Sequence, residues 1–197
     1  MRNRFLASAG APVALTVAVL ALLFSMSGVT SAEPGVPGPS ASPPVGTSDP
    51  RVNRPDCDSR MHPSWRHWEF EAADSGLVMD VKNAVRDVIV WRDTNGTNQT
   101  WVVEPAAEGG SYLHPCYDRT KCLDVPNGQY VNNTPLIVFA CNGAHNQRFG
   151  FAGSWIVPFH SPTSKCLNVD HGIVEGRRVI LWNCDGAINS QWQFHPM

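Results

Sequence analysis

Leu77-Val78-Met79-Asp80-Val81, Lys121-Cys122-Leu123-Asp124-Val125 and Lys165-Cys166-Leu167-Asn168-Val169 are three versions of one short phrase. Their acid or amide positions fall at 80, 124 and 168, a constant separation of 44 residues. Further out in each copy come Ile89-Val90-Trp91, Ile137-Val138-Phe139 and Ile180-Leu181-Trp182. Then follow Asn98-Gln99-Thr100-Trp101, Asn146-Gln147-Arg148-Phe149 and Asn189-Ser190-Gln191-Trp192. From the first aromatic to the second the distance is ten residues each time: 91 to 101, 139 to 149, 182 to 192. Turn formers lie between them, as Thr94-Asn95-Gly96, Asn142-Gly143 and Asp185-Gly186. β-Branched and aromatic runs broken by Gly, Pro, Asn and Asp predict short strands, and residues 60–197 show no amphipathic helical stretch. The expectation is an all-β fold. A period of about forty residues also suits a propeller blade, but three blades are too few and no Trp-Asp blade signature is present. Three units that cannot each bury a face must share one core, which predicts a closed, pseudo-threefold barrel.

These registers resemble the ricin B-type lectin family over roughly residues 66–197. The resemblance implies a β-trefoil of three pseudo-symmetric lobes, at about 66–110, 111–153 and 154–197, each marked by a Gln-x-Trp signature. Lobe one keeps it as Gln99-Thr100-Trp101; lobe two has Gln147-Arg148-Phe149; lobe three has Ser190-Gln191-Trp192, with the glutamine position lost.

Upstream, Arg2 and Arg4 precede an apolar stretch from about Val13 to Phe24 and small residues at Thr30-Ser31-Ala32, the pattern of a secretory signal peptide over 1–32. Residues 33–55 are rich in Pro, Gly and Ser with almost nothing to bury, which predicts a disordered linker before a domain at 56–197. The chain is therefore expected to be secreted and extracellular, with no membrane contact after signal cleavage. Cleavage would remove two of the 15 Lys and Arg and none of the 17 Asp and Glu, leaving 13 against 17 and a net charge of −4. So mild a balance offers no footprint for nucleic acid or an anionic membrane.

All six cysteines lie in the domain, and export favours disulfides. The resemblance implies one bridge inside a lobe, here Cys122–Cys141 and Cys166–Cys184. Lobe one has Val78 and Asp93 at the matching places. Cys57 and Cys116 then remain as a third pair, although spacing alone fixes no connectivity.

Sugars present hydroxyls and one apolar C–H face, so a site needs a short acceptor, an amide and an aromatic plate. The resemblance assigns these to Asp80, Trp91 and Asn98 in lobe one, Asp124, Phe139 and Asn146 in lobe two, and Asn168, Trp182 and Asn189 in lobe three. Gln99 and Gln147 join the candidate set, although a signature glutamine more often braces its lobe. Trp101, Phe149 and Trp192 are expected in the core. Each acid also has a plain alternative as a cap for its own turn, and Asn168 leans to that role because an amide is the weaker acceptor. Alternation along the strand turns Trp91, Phe139 and Trp182 outward if Val90, Val138 and Leu181 face the core. One feature counts against sugar binding. Ile89, Ile137 and Ile180 share the face of these aromatics where active lobes of the family often carry a polar residue, and each lost hydrogen bond removes about 1 kcal/mol.

The seven histidines are scattered without metal-ligand spacing, and there is no nucleophile elbow, phosphate loop or Cys-x-x-Cys. No cofactor, metal or catalytic residue is expected. Asn95, Asn98 and Asn132 open strings that fit the glycosylation pattern. The primary expectation is a carbohydrate-binding module with one to three shallow sites for a glycan or polysaccharide of galactose-like or related sugars. The alternative is a trefoil scaffold that has lost sugar binding and contacts another protein, for example as an inhibitor.

Overall fold

The computed structural model describes residues 66–161 and 164–197; the expected signal peptide, the linker and Cys57 lie outside the described residues. Each repeat phrase becomes the second strand of a four-strand lobe. Lobe one contains β1 (Arg66–Ala72), β2 (Leu77–Val81), β3 (Val88–Arg92) and β4 (Trp101–Pro105). Lobe two contains β5 (Ser111–Pro115), β6 (Lys121–Asp124), β7 (Ile137–Ala140) and β8 (Phe149–Ala152). Lobe three contains β9 (Trp155–Pro158), β10 (Lys165–Val169), β11 (Val179–Asn183) and β12 (Trp192–Pro196). The signature aromatic opens the last strand of every lobe.

Six strands form the barrel wall as an antiparallel run β12-β1-β4-β5-β8-β9. It closes where the Trp192 amide donates to the Ser154 carbonyl at 2.8 Å. Three equivalent bonds sew the lobes together: Cys116 N to Thr100 O at 2.9 Å, Phe159 N to Arg148 O at 2.9 Å, and Ala73 N to Gln191 O at 2.8 Å. The other six strands are hairpins β2-β3, β6-β7 and β10-β11 in one shared register, which pairs Asp80 with Ile89, Asp124 with Ile137 and Asn168 with Ile180. This is the β-trefoil.

Because strand side chains alternate, that register sorts each hairpin into two faces. Met79 and Val90, Leu123 and Val138, and Leu167 and Leu181 turn into a common core and are buried. The signature aromatics Trp101, Phe149 and Trp192 join them there. Indole N–H groups cannot be buried without partners. Trp101 Nε1 donates to Met79 O and Trp192 Nε1 to Leu167 O, both at 3.0 Å. A phenyl ring at Phe149 carries no such donor. Phe70, Phe151 and Phe194 add an aromatic trio from all three lobes, with centroids 5.4–6.0 Å apart. Among the described residues no helix is long and apolar enough to cross a membrane.

Candidate functional site

The opposite hairpin face carries the candidate residues. Asp80, Asp124 and Asn168 are 4%, 3% and 3% exposed, so each must find donors as it folds. The asparagine before the signature supplies one. Asn98 Nδ2 donates to Asp80 Oδ2 at 2.9 Å, Asn146 Nδ2 to Asp124 Oδ2 at 3.1 Å, and Asn189 Nδ2 to Asn168 Oδ1 at 3.0 Å. The same amides also donate to the carbonyls of Val81, Val125 and Val169. In lobe two Gln147 Nε2 adds a second bond to Asp124 Oδ2 at 2.8 Å, leaving Oδ1 without a donor among the described residues. Three residues beyond each acceptor the chain turns through left-handed backbone, at Asn83 (φ 52°), Asn127 (φ 55°) and His171 (φ 54°). Asparagine tolerates that region better than most residues, which suits two of the three loops to it.

Three open depressions result, one per lobe. Lobe one's has a volume of about 260 Å³ and is lined by Asp80, Lys82, Asn83, Ile89, Trp91, Thr94 and Asn98. Lobe two's is about 590 Å³ and adds Arg86, Tyr130 and His145 to Asp124, Ile137, Phe139 and Asn146. Lobe three's is about 290 Å³, with Asn133, Asp170, His171 and Asp185 beside Asn168, Ile180, Trp182 and Asn189. The acid or amide, the aromatic and the asparagine assigned to each lobe thus meet in one depression.

Each hairpin is also joined to a neighbour's loop, which lines the depression in lobe two through Arg86 and in lobe three through Asn133. Val138 N donates to Arg86 O at 2.8 Å, Leu181 N to Thr134 O at 2.8 Å, and Val90 N to Arg177 O at 2.9 Å. The loop of lobe one therefore borders lobe two, that of lobe two borders lobe three, and that of lobe three borders lobe one. Lobe one's aromatic plate is partly covered by this arrangement. A β-carbon on Gly176 would lie 3.5 Å from Trp91 Cζ3, and Gly176 N donates to Val90 O at 2.8 Å. The Arg92 guanidinium sits 5.5 Å from the Trp91 ring centroid and is held by Glu175 at 2.9 Å. Phe139, in contrast, is 51% exposed.

Burial pushes the Asp80 carboxyl above its ordinary value of 3.8, and the hydrogen bonds from Gln99 and Asn98 pull only partly against it. Asp124 is raised likewise by burial, opposed by Gln147, by Asn146 and by the positive field of Arg86. Burial raises the Tyr130 hydroxyl too, helped by the negative charge of Asp124.

The signature glutamines lie beneath the depressions. Gln99 and Gln147 are fully buried and line no depression. Gln99 Nε2 donates to Arg92 O at 2.8 Å while its Oε1 accepts from Thr94 N at 2.8 Å, so its amide closes the turn beneath the site. Gln147 does the same between Ala140 O and Asn142 N and braces Asp124. Ser190 replaces this brace in lobe three by accepting from Asn168 Nδ2 at 2.7 Å. The three isoleucines share the aromatic face as expected but are only 4–7% exposed. Backbone bridges Ile89 to Arg178, Ile137 to Asp87 and Ile180 to Pro135 place them at lobe junctions, where an aliphatic side chain packs. Arg86 and Tyr130 were not legible as site residues, because no repeat register reaches them.

The disulfides Cys122–Cys141 and Cys166–Cys184 are formed, with Cα separations of 5.1 and 5.2 Å. Cys116 is disulfide-bonded, and its expected partner Cys57 lies outside the described residues. His114 Nδ1 lies 3.4 Å from Cys141 Sγ and 3.7 Å from Cys122 Sγ. Those sulfurs share a covalent bond and are not thiolate ligands.

A twelve-strand trefoil with an acceptor, an amide and an aromatic in each lobe defines the class of R-type lectin folds. Two family descriptions overlap on this chain: the ricin-type beta-trefoil lectin domain matches residues 113–197, and its domain-like variant matches 61–139. Residues 61–197 therefore carry a ricin B-type β-trefoil domain. The designed threefold-symmetric protein ThreeFoil is similar, with 26% identity and a TM-score of 0.61 over 66% of this chain and 99% of that one. The C-half of an earthworm R-type lectin, solved with GalNAc, matches at 13% identity and TM-score 0.55 over 67% of this chain and 99% of its own. An exo-beta-1,3-galactanase from Clostridium thermocellum matches at 19% identity and TM-score 0.57, over 67% of this chain and only 30% of the enzyme. The last two establish fold alone. No curated protein sequence matches this chain.

Proposed function

We propose that this chain is a secreted lectin that binds glycan or polysaccharide through shallow sites in its trefoil lobes, with lobe two the principal site, and that it turns over no substrate. The observation that carries this reading is the convergence of Asp124, Asn146 and an exposed Phe139 in one open depression. A carboxylate held by two amides accepts sugar hydroxyls, and the phenyl ring takes the apolar face of a galactose-like ring. One such site supplies about 4–5 kcal/mol, a millimolar affinity, and several sites on one body multiply retention on a polymer.

The alternative, a protein-interaction or inhibitor scaffold, draws support from Ile89, Ile137 and Ile180, which offer sugar no hydroxyl partner. Retention on a glycan panel and on insoluble polysaccharides separates the two readings. Asp124→Asn keeps the shape of the side chain, whereas alanine would leave Asn146 and Gln147 short of an acceptor. Sugar retained by wild type and weakened at least about fivefold in Asp124→Asn, at unchanged melting temperature, fits the proposal. Wild type that retains no sugar ends it.

A further inference from the structure

We infer that lobe two selects a sugar carrying an anionic substituent, bound through the Arg86 guanidinium that lobe one extends over the site. This rests on the lectin reading above and specifies its substrate class. Arg86 lies in the loop 82–87 and lines the lobe-two depression, while its carbonyl is pinned by Val138 N at 2.8 Å. The adjacent carboxylate, Asp87, turns toward Arg178 of lobe three at 3.9 Å, and Arg86 has no salt bridge among the described residues. The exposed guanidinium is therefore available to a ligand.

The other charges at the site leave room for that role. Asp124 is buried on the floor, with Oδ2 occupied by Asn146 and Gln147, so it addresses hydroxyls rather than the rim. A guanidinium presents a planar fork that matches a carboxylate bidentately. Lobe three offers an anion the reverse: Asp170 and Asp185 line it, with His171 paired to Asp170 at 2.6 Å and no Lys or Arg. Lobe one carries Lys82, a point charge in a depression less than half the size. Of the three depressions, lobe two's combines an arginine with no salt bridge among the described residues, an exposed phenyl plate, a second aromatic at Tyr130 and about 590 Å³ of room for a ring with a charged substituent.

The test measures binding of the full chain to three oligosaccharides of matched length: neutral galactose oligomers, their uronate counterparts and their sulfated counterparts. Wild type is expected to bind a charged oligomer at least about tenfold tighter than the neutral one, with the advantage shrinking as salt rises. Arg86→Gln erases the advantage, so that charged and neutral oligomers then bind alike. Arg86→Lys separates the sources: it retains preference for sulfate but loses most of that for uronate, which depends on the planar fork. Equal wild-type binding of neutral and charged oligomers, or a preference that survives Arg86→Gln, overturns the inference while the lectin reading stands. Binding to none of the three overturns both. Arg86 is exposed, and unchanged melting of Arg86→Gln shows that any lost preference is not lost fold.

Discussion

Lobe one and lobe two differ in what their sequences keep and in what the fold leaves open. Lobe one holds the full polar set and the intact Gln99-Thr100-Trp101 signature, yet its Trp91 plate is flanked by Gly176 and capped by Arg92. Lobe two stacks with a mere phenylalanine and has lost the signature tryptophan, yet Phe139 stands open in the largest depression. The difference lies outside either lobe's own repeat. Lobe one is bordered by the loop 170–178 of lobe three, whereas lobe two is bordered by the loop 82–87 of lobe one, the shortest of the three. A short loop in one lobe leaves the next lobe's plate uncovered.

The largest expected contrast is in stability. Replacing Cys122 and Cys141 together by serine should cost about 3 kcal/mol, from loss of a closed loop of 19-residue separation, and lower the denaturant midpoint accordingly. Lobe one holds Val78 and Asp93 in the corresponding places and depends on its neighbours instead. If the double variant melted like wild type, lobe two would need its bridge no more than lobe one does.

Next come the aromatic plates. Phe139→Ala should weaken polysaccharide retention about tenfold, near 1.4 kcal/mol, with little change in melting because the ring is half in solvent. Trp91→Ala should do the opposite, lowering melting while moving retention little, since the indole packs on Gly176 and Arg92. Titration calorimetry and thermal melting of the two variants side by side would reverse the ranking of the lobes if Trp91→Ala lost more binding.

The smallest effect is on pH. Burial raises Asp80 and Asp124 in the folded chain, so each takes up a proton at a higher pH than in the unfolded chain. Ionised, they cost folding stability, and that cost is relieved as pH falls through the raised values. Protonation also removes a charged acceptor from the sugar. Retention should therefore fall severalfold on acidification, starting above the ordinary 3.8, while these two groups do not drive unfolding. A retention curve that is flat until the protein unfolds would exclude either carboxylate from binding.

The threefold closed barrel was legible from the spacing of the repeats, and the family resemblance of those repeats made it a β-trefoil. A separation of 44 between acceptors and ten between aromatics places Asp80, Asp124 and Asn168 in identical hairpin registers. The polar floor was legible for the same reason. The signature glutamines stood open between bracing and ligand contact, because a buried amide that closes a turn and an exposed one look alike in sequence; their bonds to Arg92 O and Ala140 O are of the bracing kind. Arg86 and Tyr130 escaped altogether: they lie in loops of unequal length, where the repeat offers no register, and Arg86 lines the depression of another lobe.

The cyclic hand-over of loops, Arg86 to Val138, Thr134 to Leu181 and Arg177 to Val90, couples the lobes in heredity as well as in space. Loop 82–87 serves two depressions at once: Lys82 and Asn83 line its own, and Arg86 lines the one downstream. Triplicating lobe one into a perfectly repetitive chain would set an arginine at the border of every depression and give three identical sites. Triplicating lobe two would border each with Thr134 and its neighbour Asn133 and leave none with that charge. The unequal copies hold a mixed set of sites that no exact threefold repeat of one lobe could carry.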